Sequence, residues 1–208
     1  MIINNTKGKD YYSQRNNKNN PFTACNVTAA IQSLIGSNIN FGHPKEMQPE
    51  DYLMGLLQSQ IAREETLKKA PWAFDRDGTL LYPINQIMIM LAWGIDILVG
   101  NKITKFGYFS TEELVDDVIK GSCPIIGGDF IKNQGGLDHF ISFVGIKYDA
   151  RVTNFNESIE SFIVDDPYGD FKTSYKSHKG NDIQLTPVEF FNRVVNCNEN
   201  KKLAIRLC

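Results

Sequence analysis

The hydrophobic pattern of this chain changes period part-way along, and that change restricts the fold more than any other feature. From Asn26 to Leu34 the apolar residues Val27, Ala30, Ile31 and Leu34 recur at three- and four-residue spacing, which predicts a helix closed by Gly36. Cys25 then stands at the helix entrance. A second helix is predicted from Pro49 to about Lys68 on Leu53, Leu56, Leu57, Ile61 and Leu67, and a more apolar one from Tyr82 to Trp93. A short one follows from Thr111 to Lys120, with Ser110 or Thr111 as its cap and Glu112 or Glu113 nearby. Beyond it the texture differs. Pro124–Phe130, His139–Tyr148, Ser161–Asp165 and Lys202–Leu207 are short apolar runs bounded by Gly, Asn and Asp, which read as strands, and a helix at Thr186–Val195 interrupts them. Helices first and strands later, with little alternation, predict an α+β fold of N-terminal helices packed on a mainly antiparallel sheet. The polar first twenty residues, ending in Arg15-Asn-Asn-Lys-Asn-Asn20-Pro21, read as a loop, with order beginning at Phe22.

The 208 residues fit one domain, 1–208, with a helical elaboration at 43–107, and 42% hydrophobic content suffices for a substantial core. Twenty-two basic against 24 acidic residues, without a basic stripe, argue against nucleic acid as a partner. No apolar run reaches the roughly 18 to 20 residues that span a bilayer. The first ten residues lack the apolar middle region of a secretory signal. Cytoplasmic synthesis is therefore expected, and action on a virion or outside the cell would need another route. The scattered Cys25, Cys123, Cys197 and Cys208 form no CxxC pattern and argue against a disulfide framework. Nineteen asparagines suggest an AT-rich genome, bacterial or viral.

The residues that carry chemistry are few. A thiol in the first turn of a helix faces unpaired N–H groups and the positive end of the dipole, an environment that favours thiolate. Cysteine-based acyl transfer also needs a base, a group that orients the base, and donors for the oxyanion. His139 opens a strand after the Asn133–Asp138 loop, where a helix N-terminus can meet it, and suits the base. Asp166 ends a neighbouring strand and suits the orienting carboxylate, while strand alternation turns Asp165 to the opposite face. Each has an ordinary reading alone: buried thiols are common, apolar strands often carry a packed histidine, and Asp-Pro is a turn. Their ordered combination favours the catalytic reading. His43 and His178 sit in polar loops outside it.

Tyr11-Tyr-Ser-Gln14, Cys25 opening a helix, Gly-Gly ahead of His139 with Val-Gly-Ile-Lys-Tyr-Asp after it, and Val-Asp-Asp166-Pro-Tyr-Gly together resemble a known family. It is the papain-like cysteine peptidases related to the bacteriocin-leader peptidases, the peptidase C-thirty-nine family. The resemblance spans roughly residues 11 to 195. It implies a papain-like fold, Cys25 as nucleophile, His139 as base, Asp166 as its orienting partner and Gln14 as the oxyanion-hole side chain, with no metal or organic cofactor. The implied activity is that of a peptidase or amidase cutting a peptide or isopeptide bond through an acyl-thioester. A peptide, or the peptide of bacterial peptidoglycan as in cell-wall degradation by a phage lysin, is the partner this suggests. The alternative is an interaction or virion component that keeps the fold without catalysis. Asn26 stands where relatives often have Gly, Leu137-Asp138 where Gly often precedes the histidine, and the 43–107 stretch is longer than the family pattern. Asp75-Arg-Asp77-Gly resembles the first motif of haloacid-dehalogenase-like phosphatases, but its flanks lack the required strand, so a turn is expected.

Overall fold

The computed structural model describes residues 1–18, 21–69, 83–131, 137–152, 154–197 and 201–208. Strand β1 (Ile2–Asn4) and a 3-10 turn at Gln14–Asn16 precede four helices: α1 (Cys25–Gly36), α2 (Pro49–Leu57), α3 (Gln60–Lys69) and α4 (Pro83–Val99). Then come β2 (Thr104–Phe109), α5 (Thr111–Ile119), β3 (Ile125–Gly128), β4 (His139–Tyr148), the short α6 (Phe155–Ser158) and β5 (Ile159–Asp165). The chain continues through β6 (Ile183–Leu185), α7 (Pro187–Arg193), β7 (Asn196–Cys197) and β8 (Lys201–Leu207). The strands lie in the order β2-β8-β3-β4-β5-β6, with β1 also on β4 and β7 also on β8. Every pairing is antiparallel.

Helices cover both faces of this sheet. On one face α1, α2 and α4 pack on Ile125, Phe140, Leu203, Ile205 and Leu207; on the other α5 and α7 pack on Ile126, Ile141, Phe143 and Ala204. Successive residues of β8 therefore enter opposite cores, as a period of two requires. Because both faces are buried, β4 is a nearly unbroken apolar run rather than an alternating one.

The elements depart from the sequence expectations in four places. Order begins well before Phe22, since Ile2–Asn4 pairs with Gly145–Lys147; three residues are too few to display a period. The helix expected over 49–68 is two helices. Ser59 Oγ donates to the Leu56 carbonyl (2.6 Å) and accepts from the Ala62 N–H (3.2 Å), so one serine serves the end of α2 and the start of α3. Helix α4 runs past Trp93 to Val99, because Ile95 and Leu98 continue its buried stripe until Gly100, at φ +77°, stops it. Strands β2 and β6, each an edge of the sheet, were not expected. The Asp75–Asp77 turn lies outside the described residues. Among these no helix is long and apolar enough to cross a membrane.

Candidate active site

Cys25 is the first residue of α1, and His139 the first of β4. Helix and strand are joined by buried hydroxyls: Ser33 Oγ donates to Ser142 Oγ (2.9 Å), which donates to the Ala29 carbonyl (2.7 Å). Ala29 and Ser33 lie one and two turns below Cys25, so this link holds the helix start near the strand start. The approach to His139 is fixed too. Asp138 donates its N–H to the Gly128 carbonyl (3.0 Å), and its Oδ1 accepts from the Phe130 N–H (2.9 Å).

The His139 ring is 1% exposed, and its Nε2 lies 2.6 Å from Oδ1 of the fully buried Asp166. That oxygen also accepts the Tyr168 N–H (2.8 Å), and the Tyr175 hydroxyl donates to Oδ2 at 3.4 Å. Nδ1 has no hydrogen-bond partner among the described residues, and Cys25 lies near enough to the ring to help raise its pKa. Burial alone disfavours the imidazolium. The Asp166 charge and hydrogen bond, with Cys25 adding to them, outweigh it and hold His139 above its ordinary pKa. Cysteine, imidazole and carboxylate thus stand in sequence, with the imidazole between the other two.

Gln14 is buried behind this row. Its backbone N–H donates to the Pro167 carbonyl and its Nε2 to the Pro21 carbonyl, both at 2.9 Å. One of the two amide hydrogens remains, and Oε1 has no partner among the described residues. Gln14 does not line the cleft. Asp165, paired with Ser142 in register, turns away and accepts the Asp182 N–H at 2.8 Å. Burial pushes its carboxyl up to about 6. His43 is exposed, with Nδ1 near the Pro44 and Met47 carbonyls, and His178 is exposed as well.

Sequence reasoning missed the clamp around Asp166. The Tyr11 hydroxyl donates to the Asp166 carbonyl (2.5 Å), Ser13 Oγ to the Pro167 carbonyl (3.3 Å) and Arg15 Nε to the Tyr168 carbonyl (2.7 Å). Gly180 backs onto the Asp166 carbonyl, where an added β-carbon would fall 2.0 Å from the oxygen. Ser174 and Tyr175, at φ +54° and +61°, hold the Tyr175 ring edge-on to His139. Two adjacent left-handed residues leave no periodic signal.

A cleft of about 380 Å³ opens beside the row, with Cys25, Asn26, His139 and Phe140 in its wall. Among the described residues, no three His, Cys, Asp or Glu side chains gather as a metal-binding group. A thiol, an imidazole and a carboxylate in this order are the side chains that nucleophilic acyl transfer employs.

No protein-family profile matches the chain, and no curated protein does. Among solved structures it is similar to one from Bacillus anthracis, described as a "putative C-thirty-nine-like peptidase". The TM-score is 0.55 at 15% identity, with 100% of this chain and 98% of that chain covered. At that identity the likeness is one of fold. The mixed α+β architecture and mainly antiparallel sheet agree with the expected fold class, and the family resemblance holds at this level.

Proposed function

We propose that this protein is a cysteine-dependent hydrolase, a peptidase or amidase that cuts a peptide or isopeptide bond through an acyl-thioester. The observation that carries this reading is the buried His139 ring, with Asp166 on Nε2 and Cys25 beside it. In the proposed reaction His139 takes the Cys25 thiol proton as the sulfur attacks the carbonyl carbon, forming a tetrahedral oxyanion. Collapse breaks the C–N bond, and His139 gives its proton to the departing amine. Water, deprotonated by His139, then attacks the thioester, releasing the acid and restoring the thiol. Asp166 holds the imidazole in the required orientation and stabilises its charged form. The Cys25 N–H, which at the helix start has no intrahelical acceptor, and the second amide hydrogen of Gln14 are the proposed oxyanion donors.

Bacterial cell-wall peptide, including the case of a phage lysin, is the substrate class proposed. The small stand-alone domain, the asparagine-rich composition and analogy with the fold support it. The test is turnover of purified peptidoglycan and of a peptide pool, with new amino and carboxyl termini read by mass spectrometry. Cys25→Ala is expected to lose turnover by at least a thousandfold while its circular dichroism spectrum stays native. Full turnover in that variant would overturn the assignment.

A further inference from the structure

Asn26 is the second residue of α1 and stands half-buried in the wall of the cleft that Cys25 and His139 share. Ala24, ahead of the helix, offers no side-chain cap, and the first intrahelical bond runs from the Thr28 N–H to the Ala24 carbonyl (3.0 Å). The Val27 N–H therefore needs an acceptor from elsewhere. Asn26 Oδ1 accepts it at 2.9 Å, so the carboxamide itself serves the helix start. That bond fixes the side chain through its oxygen and leaves the nitrogen. Nδ2 carries two hydrogens and has no acceptor among the described residues.

Capping alone does not call for an amide. Aspartate would offer the same oxygen, but its charge beside the Cys25 sulfur would oppose the thiolate that acyl transfer requires. Asparagine serves the helix without charge and adds a donor. A peptide in the cleft brings one carbonyl oxygen with each residue, and an oxygen taken out of water needs a donor. Outside the reacting pair, the described wall offers the Thr23 hydroxyl and the Asn26 amide as side-chain donors. No lysine or arginine is among its described residues, and Asp138 is an acceptor engaged by the Phe130 N–H. Helical side chains lean toward the N-terminus, which carries the Asn26 amide to the end of α1 where Cys25 stands.

We propose that Asn26 is a substrate-binding residue whose Nδ2 donates a hydrogen bond to the acyl oxygen of the peptide at Cys25, as the resting carbonyl or as the oxyanion it becomes. The proposal rests on the hydrolase reading for the identity of that oxygen, and adds a donor from the cleft side to the two named above.

Asn26→Leu keeps the shape, removes the donor and introduces no charge, whereas Asn26→Asp keeps the capping oxygen and removes the donor. On peptidoglycan peptides solubilised by a muramidase, each should lower kcat/KM about tenfold or more. Alkylation of Cys25 by iodoacetamide, which forms no acyl-enzyme, should be unchanged in Asn26→Leu. The same peptides, labelled with fluorescein, are titrated by anisotropy against Cys25→Ala protein with and without Asn26→Leu. A rise in Kd places the acceptor in the resting peptide, and a fall in kcat at unchanged Kd places it in the tetrahedral intermediate; both uphold the donor. A weakened Kd without cleavage by the native chain would uphold the donor and overturn the hydrolase reading. Native turnover that Asn26→Leu leaves unchanged would do the reverse. Full turnover in Asn26→Asp, or Cys25 alkylation that falls with turnover in Asn26→Leu, would assign Asn26 to the helix start alone and overturn the donor. A native chain that cleaves nothing, with Cys25→Ala protein that binds nothing, would overturn both.

Discussion

Asp166 decides the state of His139. Burial pulls the imidazolium down and the carboxylate holds it up, so in Asp166→Asn the opposing charge is gone and burial prevails. The His139 titration followed by NMR should then have its midpoint below that of the native chain, and kcat/KM should fall by about a hundredfold or more. An unmoved midpoint would show that Asp166 does not set this charge. Cys25, His139 and Asp166, which the fold brings together, could be singled out in the sequence because its thiols and imidazoles are few, four Cys and three His, and their order is informative, whereas Gln14 came only from the family resemblance. Tyr11 and Tyr175 could not. Their hydroxyls meet Asp166 only because the chain from 11 to 15 and the left-handed pair at 174–175 fold back on the 166–168 turn, which no local pattern encodes.

Between elements, the Ser33–Ser142–Ala29 link fixes α1 against β4 and thereby the separation of Cys25 and His139. Ser142→Ala removes a buried donor and acceptor together. It should lower urea-unfolding stability by about 1 kcal/mol or more, and lower kcat with little change in KM. Wild-type stability and kcat would show that packing alone positions the helix. Helix boundaries with side-chain caps were largely readable: Ser110 and Glu113 form the capping box that Thr111–Lys120 implied. Ser59 was not read as a break, because a serine in an amphipathic run becomes a cap only when the second helix leaves in a new direction. Strands of three residues, β1 and β6, fall below the length at which alternation is visible.

Over the whole molecule, the buried Asp165 makes a contribution to stability that declines as pH rises from acid toward neutral. Asp165 is 1% exposed and burial raises its carboxyl from 3.8 to about 6, so between those values the folded chain binds more protons than the unfolded one. That contribution is full below pH 3.8 and lost by about pH 6, at a cost of about 2–3 kcal/mol. Asp165→Asn should flatten this segment of the stability curve measured by urea unfolding. A curve that still falls as in the native chain would place the buried proton elsewhere. His139, also raised in the folded chain, acts in the same direction at higher pH: its contribution is present below its unfolded value and fades as pH climbs through the folded one.

The α+β class was legible from the change of period, since helix and strand spacing are local. The interior position of the last strand, β8 between β2 and β3, was not, since it rests on pairings between residues about eighty to a hundred positions apart.

Activation of Cys25 by His139 is read in the rate of Cys25 alkylation by iodoacetamide at pH 6, resolved by peptide mapping. Cys208, exposed, serves as the internal reference, and Cys123, buried with its thiol pushed up to about 12, should stay unlabelled in the native fold. Cys25 should react at least tenfold faster in the native chain than in His139→Ala, with Cys208 equal in both. Equal Cys25 rates in the two proteins would show that His139 does not activate the thiol.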